Sequence, residues 1–526
     1  MKQQGRREEG GGKRRESNPL QVWLWGALLA TASGCASAHK MPIDSPNLSD
    51  RDALRVTIDS LVSTPQFRTA HWGILIVDPV TGDTVYSRNA GKLFMPASNM
   101  KIVTGAVALA QLGPDFRFRT TVAVRRETGT DTLLGPGGVL RGDLLIFGRG
   151  DPSASDNMLG NAMLPLRGIA DSLASRGVLR ITGRLLSAGD AFSDANHGMG
   201  WGWDDFDYPY SAGVDELLFN EAFSRVIVRA GVQPGETPTV ETAPSRSYPP
   251  VHIRAGTVAL DAAAANDSSA RRRLRDLVLA FDSVTGGYTV KGNIAVGDSA
   301  VLTVAHRDPA RAYISALREA LGERGIVVGG ASRDTSGVAD TLFTVWSPPL
   351  REILPALEKP SQNQIGEVLL KTLGLERTSV GSADSGRAVI ERQLAEWRVE
   401  PDGYAVRDGS GLSRHNYLTP ETVVRVLDVM RRHAAFSAFY EALPIAGVDG
   451  TIATRMRGTA AAGNLRAKTG TIDRARSLSG YVTTADGRML IFSLLCNNHT
   501  SVTAVTRVQD AIGARLAELR LSGSTR

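Results

Sequence analysis

The sequence predicts an α+β or α/β protein in which hairpins and helices stand on either side of a long strand-rich stretch. Three observations predict it. Two pairs of apolar runs, 71–78 with 84–87 and 476–484 with 488–496, are each joined by a short turn, as in hairpins. Helical apolar spacing runs from about Ser98 to Leu112 and returns from about Ser347. Between them, from Phe116, short alternating runs and turn residues dominate.

Taken in order, residues 50–63 have helical spacing with Ser49 as N-cap. The first hairpin follows, then the apolar helix 98–112. The insertion holds strands within 118–126 and 139–148, a helix near 168–175, a strand at 180–186 and an aromatic, acidic loop at 200–210. Further strands are expected at 226–229, 289–296 and 300–305, and a helix at 309–321. Helices near 350–357, 363–373, 385–397 and 420–433 precede the second hairpin, and a last helix spans 502–519. The chain shows no fixed-period repeat.

The N-terminus reads as an export signal. Residues 1–16 are basic, 17–34 carry no charge, and the apolar run Leu20 to Ala32 has the length of a signal core rather than of a membrane span. Two cleavage readings stay open. Ala32-Ser33-Gly34-Cys35 is similar to a lipobox, which would leave a lipid anchor on Cys35; Ala36-Ser37-Ala38 is similar to an ordinary signal-peptidase site before His39. Residues 1–16 hold six Lys/Arg and three Glu, so the formal +6 falls to +3 once everything before Cys35 is removed. With no basic run carrying interleaved aromatics, nucleic acid is not an expected partner. Cys496 is expected to be a buried thiol, and no Cys/His cluster has zinc spacing, so neither metal nor cofactor is expected.

Three short motifs carry chemistry. In Ser98-Asn99-Met100-Lys101 the i, i+3 spacing on a helix puts hydroxyl and amine on one face. A serine hydroxyl needs a base beside it, and a lysine serves only when its pKa is lowered. The helix start also offers free N–H groups for an oxyanion. Ser361-Gln362-Asn363 opens a helix, where a capping role is the plain alternative. Lys468-Thr469-Gly470-Thr471 precedes a strand-like stretch, where a lysine can anchor a carboxylate and a glycine admits close approach. Each is weak alone; the ordered set S-x-x-K, S-x-N, K-T-G marks serine penicillin-binding proteins and serine β-lactamases.

With these motifs the chain resembles the D-alanyl-D-alanine carboxypeptidase/endopeptidases of the class C low-molecular-mass penicillin-binding protein family. Gly148-Arg149-Gly150-Asp151-Pro152, Gly200-Trp201-Gly202-Trp203-Asp204-Asp205, Asp408 to Arg414 and Asp449-Gly450-Thr451 look like that family's secondary motifs. The resemblance implies a transpeptidase-like core with two mostly-β inserted domains. It places the signal and linker at 1–38 and the catalytic domain at 45–115 with 345–520. One insert would be 116–141 with 241–340, the other 142–240.

It further implies that Ser98 is acylated, Lys101 is its base and Ser361 relays a proton to the leaving amine. Asn363 would hold a substrate amide, and Lys468 and Thr469 the terminal carboxylate. Gly470 belongs to the same strand motif, the backbone N–H groups of Ser98 and Thr471 would form the oxyanion hole, and Arg414 lies near the pocket for the peptide side chain. Peptidoglycan peptides and β-lactams are the implied partners, in the periplasm or cell envelope. One departure stands out: near Ser187 to Phe192 the family carries an acidic pair, and only Asp190 is acidic here.

Two other functions compete. A β-lactamase on the same fold would use a glutamate-activated water, and Glu216 to Asn220 has E-x-x-x-N spacing, although burial of Leu217, Leu218 and Phe219 explains that stretch. A non-catalytic envelope lipoprotein would be free to lose the motif serines and lysines, which are all present. His71, His252, His415 and His499 have no Ser/Asp partners in an order that suggests a triad.

Overall fold

The computed structural model describes residues 49–521 apart from 130–131, 261–266, 268, 270–273 and 331–338. The export signal and Cys35 lie outside the described residues. Both hairpins form, and they join into one five-stranded sheet with the strand order Arg466–Ile472, Ala475–Thr483, Met489–Asn497, His71–Val77, Thr84–Arg88. Every pairing in it is antiparallel.

Strand periodicity explains why these runs are almost wholly apolar. Successive side chains point to opposite faces, and both faces are covered. Trp72, Ile74, Ile76, Phe492 and Leu494 pack with Leu54 and Ile58 of the helix Asp50–Val62 and with Val508 and Ile512 of the helix Val502–Glu518. Ser49 caps the first of these helices by accepting from Asp52 N–H at 3.1 Å. On the other face, Leu75, Tyr481 and Ile491 meet a helical layer built on Met100–Leu112, Leu350–Glu358, Asn363–Thr378 and Pro420–Arg431. The helix Met100–Leu112 is central to this layer, buried on all sides from Met100 to Leu109, which is why it reads as nearly all apolar. Cys496 lies in the opposite core, where burial pushes its thiol up to about 12.

Tyr481 is fully buried and donates to Leu427 O at 2.7 Å. Tyr481→Phe is expected to cost about 1 kcal/mol of stability, measured by denaturant unfolding, without altering catalysis.

The insertion has two cores, and they do not follow the boundaries expected from sequence. One core joins a sheet ordered Asp340–Trp346, Arg119–Arg126, Gly142–Phe147, Leu185–Ala188 to the helices Leu164–Ser175 and Pro309–Glu323. The other lies among two three-stranded sheets drawn from residues 223–305. Residues 142–188 therefore belong with 119–126, not with 223–240, and 309–346 returns to complete the first unit. The reason is pairing: after the short strands Leu134–Gly135 and Val139–Leu140 of another sheet, Gly142–Phe147 returns onto Arg119–Arg126, and Leu185–Ala188 adds in parallel to its other edge. The single strand expected at 180–186 is two, Arg180–Ile181 and Leu185–Ala188, each in a different sheet.

Candidate active site

The catalytic motifs converge where the central helix meets the edge strand. Ser98 lies in the single 3-10 turn Ala97–Asn99 that leads into Met100–Leu112, not in the α-helix itself. Ala97, just before it, holds φ +49, a strained value for a residue with a Cβ. Gly411 packs on this turn so closely that a Cβ there would stand 1.9 Å from Ala97 O. Asn99 donates to Ser479 Oγ at 2.6 Å, and Ser477 donates to Pro96 O at 2.7 Å, so the sheet clamps the turn on both sides of Ser98.

Lys101 is fully buried. Its Nζ lies 2.6 Å from Asn363 Oδ1, 2.6 Å from Ser410 O and 3.1 Å from Ser98 Oγ. The first two partners can only accept. A neutral amine therefore directs its two N–H bonds at them and its lone pair at the Ser98 hydroxyl. Burial lowers Lys101 to about 8, against the opposing pull of Glu358, Asp408 and Glu367. Glu367 holds the acceptor loop in place by taking Gly409 N–H at 3.1 Å and Ser410 N–H at 2.8 Å.

Ser361 does not cap the following helix. Gln362 does, accepting from Gln364 N–H at 3.3 Å. Ser361 instead holds φ +65 and accepts from Lys468 Nζ at 2.7 Å. Lys468 also donates to Thr469 O at 2.8 Å and is fully buried, with its pKa lowered by that burial and by the charge of Lys101. Asn363 has both ends of its amide engaged within the protein: beside its bond from Lys101 it donates to Tyr210 O at 2.6 Å. It thus ties Lys101 to the loop of the insertion.

Lys468 to Thr471 belong to the edge strand Arg466–Ile472, which pairs with Ala475–Thr483. Gly470 is fixed by its surroundings. A Cβ there would meet Ser477 Oγ at 2.1 Å, Pro96 O at 2.6 Å and Ser98 N at 3.0 Å. Gly470→Ala is expected to push the strand off the nucleophile turn and lower the acylation rate at least about 100-fold, with a penicillin acylation time course as the measurement.

Ser98, Ser361, Asn363, Thr469, Thr471 and Arg414 line one cleft of about 690 Å³. Lys101, Lys468 and Gly470 lie behind its wall. Arg414 is exposed and donates to Asp473 O at 3.2 Å. Sequence reasoning missed Asp205, Tyr210, Thr451 and His499, which also line the cleft. The signal for Asp205 and Thr451 was present, since both lie in secondary motifs quoted above. Asp205 gives the cleft wall a carboxylate, and the segment Ser187 to Phe192 lines none of it. Thr451 accepts from Thr469 Oγ1 at 2.7 Å. Trp201 donates to Asp408 at 2.9 Å, joining the aromatic loop to the loop that carries Ser410. His499 is buried, with both ring nitrogens lacking a partner.

Glu216 is outside the cleft lining. Leu217, Leu218 and Phe219 are buried after it, and Asn220 accepts from Asp156 N–H at 3.0 Å and donates to Phe223 O at 2.9 Å. The E-x-x-x-N spacing is thus a scaffold turn of the insertion.

Comparison with known proteins agrees with this geometry. A model of the D-Ala-D-Ala carboxypeptidase 3 (S13) family matches residues 54–519. A D-alanyl-D-alanine carboxypeptidase of Actinomadura sp. (strain R39) is 34% identical over 500 residues, 90% of this chain and 87% of the relative. Among solved structures, penicillin binding protein 4 of Haemophilus influenzae shares the fold with a TM-score of 0.70 at 22% identity, over 88% of this chain and 99% of that one. The same protein complexed with a β-lactam gives 0.67 at the same identity and coverage. A family match that begins in the first helix and ends beyond the last, enclosing all three motifs, assigns the molecule: the chain belongs to the D-Ala-D-Ala carboxypeptidase 3 (S13) family and is a serine-type D-Ala-D-Ala carboxypeptidase.

Proposed function

We propose that Ser98 is the residue acylated when this enzyme releases D-Ala from peptidoglycan stem peptides. The observation that carries the reading is the threefold setting of Lys101, which leaves one direction for its lone pair, toward Ser98. In the attack step neutral Lys101 takes the Ser98 proton while Oγ bonds to the carbonyl carbon between the two D-Ala residues. The carbonyl oxygen gains charge between the N–H groups of Ser98 and Thr471. Ser361, bridged to Lys468, passes a proton to the leaving D-Ala nitrogen as the C–N bond breaks. Lys468 and Thr469 attract the terminal carboxylate. Water then attacks the ester and returns Ser98 to its hydroxyl form.

The edge position of Arg466–Ile472 supports the binding mode. Within its sheet it pairs only with Ala475–Thr483, and Thr469, Thr471 and Ile472 face the cleft from it. Pro444 and Ile445 cover this edge at Arg466 and Ala467, and a peptide lying along residues 469–472 gains main-chain hydrogen bonds as an added strand. Beyond it, Arg414 and Asp205 present opposite charges to the stem-peptide side chain.

The test is incubation of purified protein lacking residues 1–38 with a fluorescent penicillin, followed by mass mapping of the label and its decay. A long-lived adduct on Ser98 supports the reading. Rapid loss with ring-opened product would favour a β-lactamase, and no adduct would favour a binding module. We also infer a cell-envelope location with Cys35 as lipid anchor; the mass of the mature N-terminus decides between that and cleavage before His39.

A further inference from the structure

Both lysines of the site are buried away from water, and two ammonium ions in one dry pocket repel each other. A carboxyl group that the reaction does not otherwise use lies within range of their charge, though bonded to neither. Glu358 ends the helix Leu350–Glu358, three residues ahead of Ser361. It is fully buried, and neither carboxylate oxygen has a hydrogen-bond partner. One oxygen stands 2.9 Å from where a Cβ on Gly105 would lie, with Leu354 and Leu357 closing the same space. Gly105 is one helical turn beyond Lys101, on the same face. Glycine at 105 thus leaves room for a carboxyl group in a place that is otherwise apolar.

An apolar residue there would fold more easily, because a buried carboxyl group without hydrogen bonds destabilises the folded state. Its charged neighbours supply the reason for it. Burial raises Glu358 to about 7, and Lys468 and Lys101 pull the other way, so that it still ionises in the range where the lysines lose their protons. Glu367 and Asp408 also act on Lys101, but their oxygens are engaged by backbone N–H groups of residues 409–413.

We propose that Glu358 is a positioning residue for acylation, the shared counter-charge of Lys101 and Lys468. The trio is then neutral when the two lysines hold a single ammonium charge between them, the state in which one amine is free to act as base. This rests on the roles given above to Ser98, Lys101 and Lys468.

The measurement is the rate of Ser98 acylation by a fluorescent penicillin across pH, with thermal unfolding alongside, for the wild type, Glu358→Gln, Glu358→Met and Glu358→Asp. The lysines titrate as a coupled set, so the rate follows a bell whose limbs are their two proton losses. Without the negative charge both protons leave more readily. The whole bell is expected to move about one unit to lower pH in Glu358→Gln and Glu358→Met. Thermal stability should stay close to that of the wild type, because the lost carboxyl group had no hydrogen bonds and the lysine it balanced can shed its proton, and Glu358→Asp should return the bell toward the wild-type position. An unmoved bell overturns the proposal, whether the rate is uniformly lower with lost stability or unchanged. So does loss of folding in both uncharged variants, since that would make the role structural. A wild type that forms no Ser98 adduct would instead overturn the assignment of roles on which the proposal stands.

Discussion

Ser98→Ala is expected to lower kcat/KM for D-Ala release at least about 10⁴-fold, roughly 5.5 kcal/mol of transition-state stabilisation, and to abolish the penicillin adduct. No other hydroxyl can take over. Ser361 is occupied by Lys468, and Ser410 meets Lys101 through its carbonyl oxygen. The fold should survive, because the turn is held by backbone and neighbour contacts: Asn99 N–H donates to Pro96 O at 3.2 Å, and the Asn99 and Ser477 side chains clamp it from either side. Non-covalent peptide binding should persist, since Lys468, Thr469 and the edge strand are untouched. A variant that still releases D-Ala at a tenth of the wild-type rate would place the nucleophile elsewhere.

Lys101→Met is expected to slow acylation about 10³-fold. Methionine fills the buried volume, but it removes the base and leaves Asn363 Oδ1 and Ser410 O without their donor. The pH profile supplies the sharper test. A lysine base works only when neutral, and burial lowers Lys101 to about 8. Lys468 is lowered to about 7 by burial and by Lys101 and titrates with it, so acylation of the wild type should rise as the pair loses its first proton and fall as it loses the second, which removes the charge that anchors the carboxylate. In Lys101→Met the rising limb should vanish. A limb that persists near pH 8 would show that another group accepts the proton.

The chemistry was more legible than the architecture around it. The three motifs announce themselves because acyl transfer fixes both residue type and spacing, and the helix that follows Ser98 is strongly apolar. Strand partners inside the insertion were not legible. Runs such as Gly142–Phe147 and Leu185–Ala188 show that they are strands but not which neighbour they pair with, so the sheet that unites them with Asp340–Trp346 stayed hidden. That last strand was missed outright: its side chains are mostly half-exposed, and a register shift near Leu342 breaks the alternation, so that Leu342, Phe343 and Val345 all pack on the core. His499 lacks any local pattern, because the wall it completes is assembled from distant segments. Glu358, at the end of an amphipathic helix, reads as a surface charge until the packing against Gly105 is seen.

The catalytic sheet takes its strands from the two ends of the chain. The contact that locks Met95 N–H to Asn497 Oδ1, beside the nucleophile turn, joins residues 402 apart in sequence. During synthesis the first hairpin and the helix after Ser98 emerge long before the strands that cover them. Each core of the insertion is drawn mainly from its own residues and can condense in the interval. Closing a loop of that length is slow, and contacts so distant come late in folding. The enzyme therefore gains its nucleophile early but its activity last, only when the C-terminal hairpin arrives, and a nascent or truncated chain that stops short of residue 466 carries Ser98 without the means to use it.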